Sequence, residues 1–151
     1  MDVKAPRVAD NCLPGQFIIA KIDEVGERIP LTICDYDREA GTITIVFQTV
    51  GASTERMSHL AVGDAFMDFV GPLGQPSELC VEENLEETKK KKIVFIAGGV
   101  GTAPIYPQVK WLKEHGMPEI TRVYKTTKDG KRLTLEDECL KSGTLPSIAY
   151  G

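Results

Sequence analysis

A glycine-rich segment in the second half of the 151-residue chain has residue types suited to binding phosphate groups. It contains Gly98, Gly99, Gly101, Thr102 and Pro104. Glycine lets the backbone turn sharply and approach a pyrophosphate, and a helix start adds unpaired N–H groups at the positive end of its dipole. The spacing G-x-G-x-x-P differs from the dinucleotide-binding pattern G-x-G-x-x-G at its last position. It predicts a dinucleotide-binding turn; the alternative is a turn that only packs a helix against a strand.

A second group of residues suited to anion binding lies earlier in the chain. Gly51 precedes a predicted short helix that Ser53 or Thr54 can cap, with Glu55 in its electropositive first turn. The start of a capped helix can hold an anion. An ordinary helix cap without a ligand is the alternative.

The elements around the glycine-rich segment match those that such a turn requires. The apolar run 93–97 predicts a parallel strand buried on both faces. Ile105, Val109 and Leu112 recur at helical spacing before a terminating Gly116. This order of strand, glycine turn and helix is the context that the dinucleotide pattern needs.

The sequence after this helix predicts the completion of a β–α–β unit. A strand is expected over 120–124. Beyond it, Asp129-Gly130 predicts a two-residue hairpin turn or a simple loop, and a second interpretation is a helix over 134–143.

The N-terminal part alternates between apolar and polar residues with glycine turns between the runs, which predicts antiparallel strands. We expect these strands over residues 17–22, 30–36, 42–50 and 65–70. Gly71-Pro72-Leu73-Gly74 predicts a tight loop whose glycines take positive φ. The pattern is typical of a small barrel or sandwich.

A block of acids followed by bases at 82–92 predicts a solvated linker between two domains. The fold class is therefore α+β with two domains. We place an antiparallel β-barrel at residues 1–88 and the N-terminal part of an α/β Rossmann-like domain at 89–151.

Composition excludes several classes of function. Eighteen basic and 22 acidic residues give a net charge of −4, which argues against nucleic-acid binding, and no apolar run is long enough to span a membrane. The start of the chain has no secretion signal, so we expect a cytoplasmic protein. The cysteines form no C-x-x-C pair, so they predict buried thiols and neither a metal site nor an iron–sulfur cluster. They are Cys12, Cys34, Cys80 and Cys139.

Several segments together resemble the ferredoxin–NADP reductase superfamily. Its G-x-G-x-x-P turn is similar to residues 99–104. More narrowly, four further segments occur in the order found in the alpha subunits of NADH-dependent reduced ferredoxin:NADP oxidoreductase and the electron-transfer subunits of dihydroorotate dehydrogenase. They are Pro14-Gly15-Gln16-Phe17, Arg28-Ile29-Pro30-Leu31-Thr32, Gly51-Ala52-Ser53-Thr54 and Gly71-Pro72-Leu73-Gly74.

The resemblance implies an FAD-binding barrel. In the relatives this barrel begins about one strand earlier than Met1, so its first strand is expected to be absent from this sequence. It implies that the strand holding Pro30, Leu31 and Thr32 lies along the flavin ring, with the Thr32 hydroxyl near the reactive N5 atom. It also implies that the Gly51, Ser53 and Thr54 turn holds the flavin pyrophosphate. Cofactors would be FAD and NAD(P)H, and hydride transfer would be the chemistry of these cofactors.

Arg28 differs from the pattern of the dihydroorotate-type relatives, in which arginine directly precedes Pro-Leu-Ser. Ile29 stands in that position here. Because adjacent strand residues face opposite sides, Arg28 is either a flavin phosphate ligand displaced by one residue or a surface charge.

Weaker features of the sequence bear on which nucleotide is preferred and on the protein partner. Basic residues at Lys125, Lys128 and Arg132 favour NADP over NAD, or belong to a solvated loop. The resemblance implies a flavin-dependent electron-transfer subunit that works with a redox partner protein or a larger oxidoreductase. The alternative is a non-catalytic flavin- or nucleotide-binding module. The relatives continue further than this sequence, so we also expect an uncovered sheet edge and a homo-oligomer.

Overall fold

The computed structural model describes residues 1–93 and 95–117, and the backbone of residues 123–126 and 132–134. The first elements are β1 (Asp2–Lys4), α1 (Pro6–Asn11), β2 (Phe17–Lys21), β3 (Ile29–Asp37), β4 (Thr42–Ile45), α2 (Ala52–Ser58) and β5 (Asp68–Leu73). They are followed by 3-10 turns at Glu78–Cys80 and Glu82–Asn84, α3 (Leu85–Thr88), β6 (Phe95–Gly98), a 3-10 turn at Gly99–Gly101, α4 (Thr102–Glu114), β7 (Val123–Thr126) and β8 (Arg132–Thr134).

The first five strands form one antiparallel sheet in the order β1-β4-β3-β2-β5. The sheet is a curled half-barrel, so the expected antiparallel, barrel-like architecture of this part is confirmed. Alternation along the strands explains its core, because Ile18 and Ala20 of β2 and Ile43 and Ile45 of β4 are buried. Helix α1, which the sequence analysis did not predict, adds buried side chains to this core.

Strand β5 differs from the prediction at Gly71-Pro72-Leu73-Gly74. The predicted tight loop is wrong, because β5 continues through Leu73, which pairs with Phe17 of β2. Gly71 lies so close to β2 that an added Cβ would be 2.6 Å from the Cγ2 atom of Ile18. Only Gly74 of the two glycines has a positive φ, at +77°. Gly71 therefore allows close strand packing instead of a turn.

The second sheet has the order β6-β7-β8. Strands β6 and β7 are parallel, with α4 between them in the chain, so the β–α–β connection is confirmed. Of the strand predicted over 120–124, residues 120–122 lie outside the described residues. The helix predicted over 134–143 lies outside them beyond Thr134, which ends β8.

Strands β7 and β8 pair antiparallel, as the hairpin interpretation predicts. Thr126 pairs with Arg132 and Lys125 with Leu133. The two-residue turn predicted at Asp129-Gly130 lies outside the described residues.

Strand β6 is buried on one face only, so the prediction of burial on both faces is wrong. Phe95 and Ala97 are buried, whereas Ile96 is 67% exposed. The buried face packs against α4 and the segment before β6, in a cluster that includes Cys80, Trp111 and Leu112. Thr88, within the charged block that we expected to be solvated, is also buried. The domain boundary at residues 88 and 89 stays a prediction.

Candidate functional site

The glycine-rich turn joins β6 to α4 in one tight 3-10 turn. Gly98 is extended, and Gly99 has a φ of +52°, a left-handed conformation that favours glycine. The Thr102 hydroxyl donates a hydrogen bond to the Gly99 carbonyl oxygen at 2.9 Å. The turn is thereby closed around its own backbone, and α4 begins at Thr102.

The backbone of this turn is open to solvent. A Cβ added at Gly99 or Gly101 would meet no heavy atom within 4 Å, and Val100 is 42% exposed. The Thr102 N–H group already donates to the carbonyl oxygens of Gly99 and Val100 within the turn. The open space at Gly99 and Gly101 meets the steric requirement for a pyrophosphate to approach the backbone.

Pro104 and Ala103 fix the start of α4. Pro104 is the third helical residue, where its missing N–H costs no helical hydrogen bond, and Ala103 is buried. One turn later, the Gln108 side chain donates to the Pro104 carbonyl oxygen at 2.8 Å and accepts from the Ser77 hydroxyl at 2.8 Å. These bonds tie the helix start to the segment that follows β5.

Strand β3 carries the residues expected along the flavin. Pro30 is exposed and pairs with Ile19, and the half-buried Thr32 pairs with Phe17. Leu31 packs against the barrel core. Since alternate residues share a face, Pro30 and Thr32 lie together on the outer face of the sheet, and Leu31 is directed to the opposite side.

Arg28 forms an ion pair with Asp68 at the start of β5. The Arg28 side chain is 59% exposed, and that of Asp68 is 29% exposed. The guanidinium therefore already has a carboxylate partner in the sheet, on β5, which is separated from β3 by β2.

The Gly51, Ser53 and Thr54 turn is held by one hydroxyl. The Thr54 Oγ1 atom accepts hydrogen bonds from the N–H groups of Val50 and Gly51, each at 3.1 Å, and donates to the Gly51 carbonyl oxygen at 2.9 Å. Helix α2 begins at Ala52 with Gly51 as its N-cap residue, and of the two predicted capping residues Thr54 takes part, through its side chain at the third helical position. Ser53 is half-buried, and Gly51 faces open space.

Helix α4 packs on β3, and an ion pair joins them. The Lys110 Nζ atom lies 2.7 Å from the Asp35 Oδ1 atom. Lys110 also lies 6.0 Å from the centre of the Tyr36 ring, over which the Arg38 guanidinium is stacked at 4.7 Å. Partial burial opposes the charge of Lys110, but its hydrogen bond to Asp35 and the charge of that carboxylate raise the pKa of Lys110.

These residues line a cleft of about 490 Å³ beside α4 that the sequence analysis did not predict. Its wall includes Trp111 and His115, whose rings stack at 3.7 Å. The His115 Nδ1 atom lies 2.7 Å from the Trp111 carbonyl oxygen, so His115 closes the last turn of α4. The cleft joins residues far apart in sequence and therefore left no local signal.

The described cysteines are buried free thiols, as expected. Burial raises the pKa of Cys12 and of Cys34 to about 11 and that of Cys80 to about 12. Cys139 lies outside the described residues, as do the side chains of Lys125, Lys128 and Arg132. Among the described residues, no group of His, Cys, Asp and Glu side chains could hold a metal ion.

Within the part of the chain that the structure describes, no helix is long and apolar enough to cross a membrane.

Comparisons with known proteins identify relatives of this chain. The chain is 40% identical over 127 residues to a Thermotoga maritima homologue of the electron transfer subunit of dihydroorotate dehydrogenase B (NAD(+)), covering 84% of this chain and 42% of the relative. It is 36% identical to a chain in the solved structure of NADH-dependent reduced ferredoxin–NADP oxidoreductase, described in connection with flavin-based electron bifurcation. That match has a TM-score of 0.67 and covers 91% of this chain and 46% of the other.

The chain belongs to the ferredoxin–NADP reductase-like family. The resemblance inferred from the sequence is thus confirmed. An uncharacterised protein of Clostridium beijerinckii is 63% identical over 117 residues, covering 78% of this chain and 39% of that protein. No protein-family model matches the chain. This reductase-like chain spans less than half the length of each of these three relatives.

Proposed function

We propose that this ferredoxin–NADP reductase-like chain provides the FAD-binding part, and part of the NAD(P)H-binding Rossmann-like domain, of a flavin-dependent electron-transfer subunit. The observation that carries the proposal is the solvent-open glycine turn at the start of α4, a helix that packs directly on β3. Strand β3 carries Pro30 and Thr32 on its outer face. The relatives named as electron transfer subunits support the same assignment.

In this proposal the nucleotide pyrophosphate binds the backbone of Gly98, Gly99 and Gly101 and the start of α4 at Thr102. The open space at the Cβ positions of Gly99 and Gly101 supports it. Pro104 contributes by ending the motif inside the first helical turn without losing a helical hydrogen bond.

Flavin binding is assigned to the outer face of β3 and to the turn before α2. Pro30 and Thr32 provide a flat, accessible surface beside Phe17, and Leu31 supports that surface from the core side. Gly51, Ser53 and Thr54 form the anion site through the backbone at the start of α2, because the Thr54 hydroxyl and the Gly51 N–H group are engaged with each other and hold the turn in place. A bound flavin would supply hydride and electron transfer, and the chain supplies binding and orientation.

Absorbance of the purified chain tests the proposal. After equilibration with FAD and removal of the excess, we expect a yellow protein whose absorbance near 450 nm bleaches when NADH or NADPH is added anaerobically. A colourless protein would overturn the flavin assignment. A yellow protein that neither nucleotide bleaches would leave a flavin-binding module without nucleotide chemistry.

A protein partner is expected to receive the electrons. The NADH-dependent reduced ferredoxin–NADP oxidoreductase structure and the relatives named as electron transfer subunits support a place in a larger oxidoreductase. The preference between NAD and NADP and the homo-oligomer stay predictions. Comparing the bleaching rates with the two nucleotides tests the first, and light scattering after size-exclusion chromatography tests the second.

A further inference from the structure

Resting on the proposed function, we infer that Asp35 is a positioning residue whose carboxylate anchors Lys110 of α4 on β3 and so sets the glycine turn relative to Thr32. Asp35 lies three residues after Thr32 on β3. Lys110 lies on α4, the helix that begins directly after the glycine turn. One contact therefore joins the element proposed to orient the flavin with the element proposed to orient the nucleotide.

The geometry of the Asp35–Lys110 contact is suited to holding α4 in place on β3. The Lys110 Nζ atom is 2.7 Å from the Asp35 Oδ1 atom, and the two side chains are only 35% and 26% exposed. The same Oδ1 atom accepts the N–H of Tyr36 at 2.8 Å, which fixes the carboxylate to its own strand. A charge-assisted hydrogen bond to a fixed carboxylate restrains a long lysine side chain better than an exposed ion pair does.

A second residue of α4 also faces Asp35. Tyr106 precedes Lys110 by four positions, which places both on one side of the helix. Burial and then the charge of Asp35 raise the pKa of the Tyr106 hydroxyl. The carboxylate of Asp35 therefore acts on the Tyr106 hydroxyl as well as on Lys110, one helical turn apart on α4.

The position of the nucleotide relative to the flavin matters for the proposed chemistry, because the rate of hydride transfer falls steeply when the reacting atoms are misplaced by about 1 Å. Neither Asp35 nor Lys110 belongs to the proposed binding residues. Loss of the anchor should therefore slow flavin reduction without a matching loss of affinity for FAD or the nicotinamide nucleotide.

The test compares Lys110→Met and Asp35→Asn with the exchanged pair Asp35→Lys/Lys110→Asp. Lys89→Met is the matched control, because it removes a lysine of similar exposure, 36%, whose partner at 2.9 Å is the exposed carboxylate of Glu86 on α3. Single-turnover bleaching of bound FAD is measured with saturating NADH or NADPH, and FAD and nucleotide dissociation constants are measured separately. Amide hydrogen exchange of α4 in the flavin-free chain gives a readout that needs no activity.

We expect Lys110→Met and Asp35→Asn to bleach about tenfold more slowly with dissociation constants within about twofold of the wild type. The exchanged pair should recover most of the rate, and Lys89→Met should match the wild type. Bleaching at the wild-type rate in both single variants would overturn the inference.

If the wild type binds no flavin, the proposed function fails by itself, and hydrogen exchange then decides this inference. Faster exchange of α4 in Lys110→Met than in Lys89→Met, restored in the exchanged pair, would support the anchor. Equal exchange in all variants would overturn it.

Discussion

The Thr102 hydroxyl donates to the Gly99 carbonyl oxygen at 2.9 Å, and this bond closes the turn without involving Gly101. Gly101 has an ordinary φ of −63°, and a Cβ there would meet no atom within 4 Å. Side chains can therefore be added at Gly101 without steric conflict in the fold.

We predict that Gly101→Ala and Gly101→Leu progressively weaken binding of NADH or NADPH, by about tenfold or more for leucine, because the added atoms occupy the space of the pyrophosphate. The free energy of unfolding should stay the same or rise by up to about 1 kcal/mol. Isothermal titration and urea unfolding measure the two quantities. Val62→Leu, which enlarges an exposed side chain outside the proposed binding residues, is the control. Unchanged nucleotide affinity in Gly101→Leu would remove the assignment of this turn.

A second prediction concerns the hydroxyl of Thr32. Thr32→Val keeps the shape and the strand propensity of the residue but removes its hydrogen-bonding group. We expect bound FAD to be reduced about tenfold more slowly, with FAD affinity nearly unchanged. Thr32→Ser, which keeps the hydroxyl, should stay close to the wild type in stopped-flow measurements. Equal rates for valine and serine would show that the hydroxyl has no part in the chemistry.

Arg28→Met separates the two interpretations of this residue. Because Asp68 already pairs with the guanidinium, we expect FAD affinity to stay within about twofold of the wild type. The exposed pair should contribute no more than about 1 kcal/mol to the free energy of unfolding. Fluorescence titration of FAD measures the affinity, and Asp68→Asn controls for loss of the pair. A tenfold loss in Arg28→Met alone would instead identify Arg28 as a ligand of the flavin phosphate.

Alkaline pH should destabilise the fold through its buried thiols. The pKa of Cys12 and of Cys34 is raised to about 11 from the ordinary value of 9.0, so the folded state keeps these thiols protonated where the unfolded state ionises them. The free energy of unfolding should be unaffected below pH 9 and fall as the pH rises towards 11, by at most about 2–3 kcal/mol for each thiol. Urea unfolding at pH 8 and pH 10.5 measures this. Cys12→Ala should show a smaller fall, and equal stability at both pH values would contradict the prediction.

Local patterns predicted those elements whose residues repeat with a clear period. Ile43 and Ile45 alternate with polar residues and are buried in β4. Val109 and Leu112 recur at helical spacing and belong to the apolar cluster that packs α4 against β6. Strand β4 nevertheless ends at Ile45, although Phe47 still packs on the core. Alternation therefore predicted which side chains face inward better than it predicted where the strand ends.

The features that the sequence did not reveal depend on contacts between distant residues. The turn propensity of Gly71-Pro72-Leu73-Gly74 is overridden by strand pairing, in which Leu73 lies opposite Phe17 of β2, 56 positions earlier in the chain. Helix α1 is only six residues long, too short for a helical period to be recognised. The Asp35–Lys110 contact spans 75 positions, and neither residue stands out in its own segment.

The apolar cluster around Trp111 draws on segments that are far apart in the chain. Cys80 precedes the charged block and Leu85 lies within it, yet both pack with Trp111 and Leu112, which follow the glycine turn. Cutting the backbone after Thr88 would therefore divide a single apolar cluster between two fragments. Neither piece could shield its share alone, and mixing them should restore the native assembly by fragment complementation.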